Sequence, residues 1–323
     1  MTETAEWYRR FGEADARGVS PLYEEWALAI AEDEEVLGLL EQLPLQQRSP
    51  NIVFAVARML GAPESAWPDF RRWLVGFWSE VSHEARSRSV QTNDPRRCAA
   101  ILPLLAMLDG PLALLDIGAS AGLCLYPDRY AYRYDDRPVL GDSAVLLECV
   151  TSGGVPVPNR LPDIAFRVGV DRDPLLVDRP DDMRWLESLL WPEQLDRRAL
   201  LRAALAIART DPPTMYEADA IAGLAVAAAG IPRDVRPVVI TTGVLVYLPR
   251  AERMRFLEAV RAAGLDWIAL EAPGMLPASA ARLRVPVRAD ARFLLTLNER
   301  PVAFTSPHGT RLHWLGDADV ASG

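Results

Sequence analysis

The chain has 323 residues, of which half are hydrophobic and about a quarter are charged, a composition typical of soluble globular proteins. Its net charge is −9, and most of the acidic excess lies in residues 1–50, which hold eleven Asp or Glu against four Arg. No basic stripe is present, so we expect no extended nucleic-acid-binding surface. The sequence contains no lysine. This excludes a Walker A phosphate loop and Schiff-base or pyridoxal-phosphate chemistry, because a guanidinium cannot supply the nucleophilic amine.

The three cysteines indicate neither a metal site nor a disulfide framework. Cys98, Cys124 and Cys149 include no C-x-x-C spacing, and their number is odd. The first residues lack a basic region followed by an apolar core, and no apolar run reaches membrane-spanning length. We therefore expect a cytoplasmic protein with no bound metal and no membrane segment, and the oligomeric state stays open.

Residues 1–90 are predicted to form an N-terminal helical domain, because apolar residues recur there at three- and four-residue steps. Ser20-Pro21 and Ser49-Pro50 each place a capping serine before a proline at the first helical position. The aromatic stripe at 67–81 is interpreted as helical core. Asn93-Asp94-Pro95 is predicted to begin a further helix that ends before Gly110.

The hydrophobic period changes after residue 111. Residues 112–117 form a nearly continuous apolar run, as expected for a strand buried on both faces of a parallel sheet. Tyr130, Tyr132 and Tyr134 alternate with other residues, which indicates an exposed edge strand or a hairpin. Further strands are predicted at 164–170, 238–242 and 267–270, helices at 183–190, 198–208 and 252–263, and a final pair of strands at 293–297 and 302–305. Residues 91–323 are therefore predicted to form a doubly wound, Rossmann-like α/β sheet that is parallel apart from a C-terminal antiparallel hairpin.

A turn of small residues, Gly118-Ala119-Ser120-Ala121-Gly122, follows the first strand and its acid, Asp116. Such a turn lets a ligand approach the backbone closely. The dinucleotide pattern G-x-G-x-x-G fits poorly, since Ser120 and Leu123 stand where its second and third glycines belong. The turn does match the G-x-S-x-G nucleophile elbow of α/β-hydrolases, with His308 downstream as the base. That fold normally places several strands before the elbow, whereas helices precede it here.

A third interpretation rests on a resemblance. Residues 114–122 resemble motif I of class I S-adenosylmethionine-dependent methyltransferases, in which a strand and its acid are followed by a loop of small residues. The resemblance implies that Asp116 orients the amino group of S-adenosylmethionine. It also implies that small residues lie against the ribose and methionine parts of the cofactor, namely Gly118, Ala119, Ser120 and Gly122.

The same resemblance implies an acid at the end of the second strand that accepts the ribose hydroxyls. Asp171, in the segment Gly169-Val170-Asp171, is favoured, although it lies 55 residues after Asp116 instead of about 20. Asp135 has nearly the ordinary spacing but follows the tyrosine strand, which is too polar for the centre of a sheet. If Asp171 is the ribose acid, residues 126–163 are an insertion.

Later segments resemble the remaining methyltransferase motifs in their usual order. Glu217-Ala218-Asp219-Ala220 resembles the acidic dipeptide whose aspartate approaches the adenine amine, which implies Asp219 and Ala220 as cofactor contacts; a plain helix cap explains Asp219 about equally well. Thr242 ends the predicted fourth strand, where cofactor and substrate would meet. Tyr247, beyond that strand, and His308, in a late turn, are the candidate catalytic residues. A base is needed only if the acceptor must lose a proton, and a turn-stabilising role is the favoured alternative for His308.

Several stretches across nearly the whole chain resemble one bacterial family that is catalogued only as a domain of unknown function. They are Ser20-Pro21-Leu22-Tyr23, Ser49-Pro50-Asn51, Gln91-Thr92-Asn93, Gly118–Gly122, Asp128-Arg129-Tyr130, Trp185-Leu186, Trp191-Pro192-Glu193 and Pro307-His308-Gly309. The resemblance implies a methyltransferase-like architecture and no particular substrate. We expect an S-adenosylmethionine-binding methyltransferase that acts on a small acceptor. A serine hydrolase and a non-catalytic scaffold are the alternatives.

Overall fold

The computed structural model describes residues 2–91, 93–287 and 292–321. The chain divides into two compact units: one comprises Met1–Thr92 and Arg179–Ala199, and the other comprises Asn93–Asp178 and Leu200–Gly323. Twelve α-helices lie in the described residues: α1 (Glu3–Arg10), α2 (Pro21–Ile30), α3 (Glu34–Leu40), α4 (Pro50–Met59), α5 (Trp67–Gly76), α6 (Trp78–Ser87), α7 (Arg97–Leu105), α8 (Pro180–Ser188), α9 (Leu195–Thr210), α10 (Ala220–Ala229), α11 (Arg250–Ala263) and α12 (Pro277–Ala280). Within this described part of the chain, no helix is long and apolar enough to cross a membrane.

The first unit is helical, and two of its helices begin where the Ser-Pro pairs predicted. Helix α2 begins at Pro21, with Ser20 Oγ accepting a hydrogen bond from the Tyr23 backbone N–H at 3.1 Å. Helix α4 begins at Pro50 as predicted, but the side chain of Ser49 accepts no hydrogen bond from the helix, so its predicted capping role is wrong. The core of this unit is aromatic: the rings of Trp26 and Phe70 stack with centroids 3.6 Å apart.

Residues 179–199 join the first unit through Arg58. Its guanidinium donates to the carbonyl oxygens of Ser188 and Leu190 at 3.0 and 2.5 Å. The predicted range of the helical domain, residues 1–90, does not include this segment, because contacts between α4 and a segment 130 residues later leave no local signal in the sequence.

The ten strands found in the described residues form one sheet, in the order β2-β3-β10-β9-β8-β7-β6-β1-β4-β5. Their bounds are β1 (Leu112–Ile117), β2 (Ala131–Tyr134), β3 (Leu146–Ser152), β4 (Ile164–Asp171), β5 (Thr214–Glu217), β6 (Arg236–Thr242), β7 (Asp266–Glu271), β8 (Phe293–Leu297), β9 (Arg300–Thr305) and β10 (Arg311–Trp314). Strands β5, β4, β1, β6 and β7 run parallel to one another, with β1 at their centre. The predicted C-terminal hairpin is confirmed by the antiparallel pairing of β8 with β9.

The tyrosine segment forms β2, at the edge of the sheet farthest from β5. The predicted edge position is correct, but the predicted exposure is wrong, because Tyr130, Tyr132 and Tyr134 are all buried. Each hydroxyl donates to a backbone carbonyl oxygen, at 2.8, 2.7 and 2.6 Å respectively. All three buried hydroxyls therefore have a hydrogen-bond acceptor, which allows these polar rings to occupy an interior.

Candidate functional site

Five parallel strands end along one edge of the sheet, and several polar residues of the second unit lie at this edge. Strand β4 lies on one side of β1 and the later strand β6 lies on the other, so the order of the parallel strands reverses beside β1. In open α/β sheets a crevice forms outside the carboxyl ends of the strands at such a reversal, and ligands bind there. The small-residue turn that follows β1 lies at this point, which makes it the centre of the candidate site.

The turn is tightly folded and bonded to the end of β4. The Ser120 backbone N–H donates to Asp171 Oδ2 at 2.7 Å, and the Leu175 N–H donates to the Ser120 carbonyl oxygen at 3.1 Å. Gly118, Ser120 and Gly122 have φ of 81°, 52° and 72°, values that favour glycine. The turn leads into a three-residue 3-10 helix, and no α-helix lies between it and β4, a stretch that is described throughout. The strand–turn–helix context of a nucleophile elbow is therefore lacking.

Asn93 holds the turn from its other side. Its side-chain Nδ2 donates to the Ala119 carbonyl oxygen at 2.6 Å, and its Oδ1 accepts from the Leu123 N–H at 3.2 Å. The prediction that Asn93 begins a helix is wrong, since α7 begins at Arg97. The side chain bonds to a distant turn instead of capping its own helix.

The space against the turn is occupied by side chains of this chain. A Cβ placed on Gly118 would lie 2.3 Å from Val244 Cγ2, and one on Gly169 would lie 2.4 Å from Met215 Sδ. Ala119 and Ser120 are buried as well. The sequence pattern predicts a ligand in the space beside Gly118, but in this structure the side chain of Val244 fills that space. A ligand can contact that glycine only if Val244 moves away.

Asp116 is buried near the end of β1, with 2% of its surface exposed. Among the residues that the structure describes, none donates a hydrogen bond to its Oδ1, which is itself shielded from solvent. Burial raises the pKa of Asp116 to about 7; the charge of Asp171 adds to the rise, Arg97 opposes it, and Glu271 adds a smaller rise. An unpartnered buried carboxyl oxygen is an acceptor available to a ligand.

Glu271, at the end of β7, is a second buried acid of this edge, which the sequence analysis missed. Its Oε1 accepts from the N–H groups of Gly243 and Val244 at 3.0 Å, and its Oε2 accepts from Leu245 N–H at 3.3 Å. Burial raises the pKa of Glu271 to about 7, against the opposing effects of these donors and of Arg97. Glu271 thus fixes the loop that carries Val244. An acid directly after the apolar run Ile268-Ala269-Leu270 is the signal that could have revealed it.

Arg97 provides a buried positive charge among these acids, and its side chain links two elements of the edge. Its Nη1 donates to the Thr242 carbonyl oxygen, and its Nε donates to the Pro307 carbonyl oxygen at 3.2 Å. Thr242 is therefore bound to the first residue of α7. Its hydroxyl also lies 4.0 Å from Cys124 Sγ.

The two candidate catalytic residues differ in their surroundings. His308 Nδ1 lies 3.0 Å from Asp94 Oδ2, a separation typical of an ion pair. Tyr247 lies on the loop after β6, and its side chain is largely exposed. Asp94 is the residue next to Asn93, so the His308 pair is attached to the segment that holds the small-residue turn.

Of the remaining predicted residues, some lie at this edge and one lies beside β2, at the far side of the sheet. Asp219 Oδ1 caps α10 by accepting from the N–H groups of Ile221 and Ala222 at 2.9 and 3.0 Å, and Asp219 and Ala220 line a cavity of about 350 Å³. Asp135 lies at the end of β2, which six strands separate from β1, and its Oδ1 accepts from the Thr151 N–H at 2.7 Å. Of the two acids proposed for a ribose, Asp171 alone is bonded to the turn. In the described ranges, no group of three or more His, Cys, Asp or Glu is placed to hold a metal ion.

Comparisons with known proteins identify a family. Neither a curated protein nor a solved structure matches this chain. The sequence profile of DUF2332, described as an uncharacterized protein conserved in bacteria, matches residues 5–314. The family resemblance inferred from the short stretches is thus confirmed. Because the match covers nearly the whole sequence, the chain belongs to the DUF2332 family of uncharacterized bacterial proteins.

Proposed function

We propose that this chain binds S-adenosylmethionine at the carboxyl edge of its sheet and transfers the methyl group to a small acceptor. The observation that carries the proposal is the buried Asp116, whose Oδ1 accepts no hydrogen bond from any described residue. A carboxyl group left in this state destabilises a fold, and its retention at the centre of a ligand-binding crevice is explained by a ligand that donates to it.

The strand order supports a Rossmann-like assignment of the sheet. Numbered by their order along the chain, the five parallel strands are arranged 3-2-1-4-5, as in doubly wound nucleotide-binding sheets. The motifs that resemble those of methyltransferases follow the first, second, third and fourth of these strands. Their positions therefore fall along one edge, beside the reversal in strand order.

The residues at this edge fit the proposed cofactor part by part. Asp116 Oδ1 would accept from the ammonium group of the methionine moiety. Asp171 would meet the ribose through the lone pairs left after it accepts from Ser120 and Asp173 N–H. Asp219 would meet the adenine amine beside the cavity of about 350 Å³, a volume within the range of small-molecule sites.

The bound cofactor supplies a methyl group already activated on a sulfonium, so the protein's own contribution is alignment and exclusion of water. In this proposal Asp116 and Asp219 fix the two ends of the cofactor, and Asp171 fixes the ribose between them. Arg97 holds the end of β6 at Thr242 in place. Glu271 binds three N–H groups of the loop that carries Val244, and Val244 must move away from Gly118 for the cofactor to reach that glycine.

Calorimetric titration of S-adenosylmethionine and S-adenosylhomocysteine tests the proposal. Asp116→Asn is expected to weaken binding by about 10- to 100-fold, since a hydrogen bond to a charged group contributes about 1.5–3 kcal/mol. The matched control is Asp135→Asn, which changes the rival acid, and it is expected to leave the affinity unchanged. In the wild type, affinity is expected to rise between about pH 6 and pH 8 as Asp116 ionises. No binding to the folded wild type would refute the proposal.

One observation favours serine hydrolysis as a second candidate. Ser120 has φ of 52°, and a nucleophile elbow is a strained turn of this kind. Labelling by a fluorophosphonate probe that disappears in Ser120→Ala would establish that activity. Binding neither cofactor nor probe would leave the non-catalytic scaffold as the function of the fold.

A further inference from the structure

His308 and Asp94 form a histidine–carboxylate pair at the same edge of the sheet. The Asp94 side chain is 4% exposed, whereas the His308 side chain is 40% exposed. His308 Nδ1 is shielded from solvent and lies 3.0 Å from Asp94 Oδ2, but not in line for a hydrogen bond. The exposed part of the imidazole is therefore the side that carries Nε2.

The turn that carries His308 is packed against the segment that carries Asp94. A Cβ on Gly309 would lie 2.5 Å from the Arg96 carbonyl oxygen, so only glycine allows this approach. The Pro307 carbonyl oxygen accepts from Arg97 Nε at 3.2 Å. Because the backbone is fixed on both sides of the imidazole, the ring has little freedom except rotation about its own bonds.

Asp94 is oriented by Arg96. Arg96 Nε donates to Asp94 Oδ1 at 2.9 Å, and Nη2 donates to Oδ2 at 2.6 Å, a two-bond geometry that fixes the plane of a carboxylate. The adjacent residue, Asn93, binds the backbone of the small-residue turn at Ala119 and the residue after the turn, Leu123. The histidine–carboxylate pair is therefore attached to the turn proposed to cradle the cofactor.

We propose that Asp94 is a positioning residue that holds the proton of His308 on Nδ1, so that Nε2 serves as the base of the methyl transfer. The acceptor then attacks through an atom that loses a proton, a hydroxyl oxygen or an amine nitrogen. Its lone pair forms the bond to the methyl carbon, its proton passes to Nε2, and the electron pair of the broken carbon–sulfur bond stays on sulfur. Asp94 stabilises the imidazolium that results. This inference rests on the proposed function.

The tautomer of His308 can be measured without cofactor or substrate. The chain has three histidines, so a ¹⁵N-histidine-labelled protein gives few ring signals, and a His308→Gln variant identifies those of His308. At the alkaline end of the ring's titration, the wild type is expected to carry its proton on Nδ1. In Asp94→Asn the proton is expected on Nε2, because Arg96 competes for the one remaining oxygen and the amide NH₂ turns toward Nδ1.

His313 is the matched control, since its Nδ1 lies 2.8 Å from Ser152 Oγ in another part of the sheet and its tautomer is expected to stay the same in both proteins. A wild-type His308 protonated on Nε2, or a tautomer unchanged by Asp94→Asn, would overturn the proposal. If Asp94→Asn does not fold, the wild-type spectrum alone tests the proposal: a proton on Nδ1 of His308 supports it, and a proton on Nε2 overturns it.

A second measurement separates this inference from the proposed function. Asp94→Asn is expected to bind S-adenosylhomocysteine within about twofold of the wild type. The small-residue turn is bonded to the side chain of Asn93, whereas the side chain of Asp94 contacts Arg96 and His308. A loss of binding well beyond this would place Asp94 in the cofactor cradle and overturn its assignment to the base. Absence of cofactor binding in the wild type would refute methyl transfer and the role of His308 in it, even if the Nδ1 tautomer shows that the pair exists.

Discussion

Replacing Asp116 by asparagine is expected to stabilise the protein at neutral pH, although it weakens the proposed cofactor site. The carboxyl group is buried, and its Oδ1 accepts from none of the described residues. Its pKa rises on folding from the ordinary value of 3.8 to about 7. Each pKa unit corresponds to about 1.4 kcal/mol, so holding the ionised form in the fold costs about 4 kcal/mol. Asparagine keeps the shape and removes the charge.

The effect has a defined dependence on pH. With its raised pKa, Asp116 binds more protons in the folded state than in the unfolded state between about pH 4 and pH 7. Its contribution to stability is therefore complete at low pH and is lost as the pH rises through this window. The stability gained by Asp116→Asn is expected to grow from about 2 kcal/mol at pH 5 to about 4 kcal/mol at pH 7, both as upper limits, and to level off above that.

Urea unfolding followed by circular dichroism between pH 5 and pH 8 measures the difference. Asp171→Asn is the matched control at the neighbouring strand end. Asp171 accepts from Ser120 and Asp173 N–H at 2.7 and 3.0 Å, so its replacement is expected to destabilise the fold. If Asp116→Asn were less stable than the wild type at pH 7, or if the difference did not vary with pH, Asp116 would have a partner in the fold and our argument for a ligand there would fail.

Two further predictions concern the small-residue turn. Asn93→Ala is expected to destabilise the protein by about 1–3 kcal/mol, because the Ala119 carbonyl and the Leu123 N–H lose their side-chain partner. The same unfolding experiment measures this change, and an unchanged free energy of unfolding would mean that the turn does not depend on Asn93. Val244→Ala removes the two methyl carbons that cover Gly118. That contact contributes about 1–2 kcal/mol to holding the loop of Val244 against the turn. Without it, cofactor affinity is expected to rise by up to about tenfold in the calorimetric titration. Weaker binding would show instead that Val244 contacts the cofactor.

Local features of the sequence predicted most of the elements. Helix starts at Ser20-Pro21 and Ser49-Pro50, the apolar run of β1 and the C-terminal hairpin all depend on residues close together in the chain. Caps and hydrophobic periodicity act over a few residues, so one sequence is sufficient to recognise them. The order of these elements also predicted an α/β sheet with a mostly parallel arrangement.

Contacts between distant segments could not be predicted in this way. Asn93-Asp94-Pro95 has the pattern of a helix start, yet Asn93 binds a turn about 30 residues later, and Asp94 lies beside His308, more than 200 residues later. The local pattern therefore predicts a role for Asn93 that this residue does not have. The pattern around His308 does not reveal its partner for the same reason, because the distance between two side chains is a property of the fold.

The small-residue turn shows why a glycine alone does not identify a ligand site. A ligand and a side chain of the same protein both require the missing Cβ at Gly118, and in this fold Val244 fills that space. Packing therefore explains the glycine fully. It does not explain Asp116, because an apolar residue or an asparagine would fill the same volume without a buried charge, and natural sequences keep such destabilising groups chiefly where function needs them. Asp116 is therefore the residue that indicates a ligand at this edge. A stabilised Asp116→Asn variant that no longer binds the cofactor is the result that would connect the instability of the site with its function.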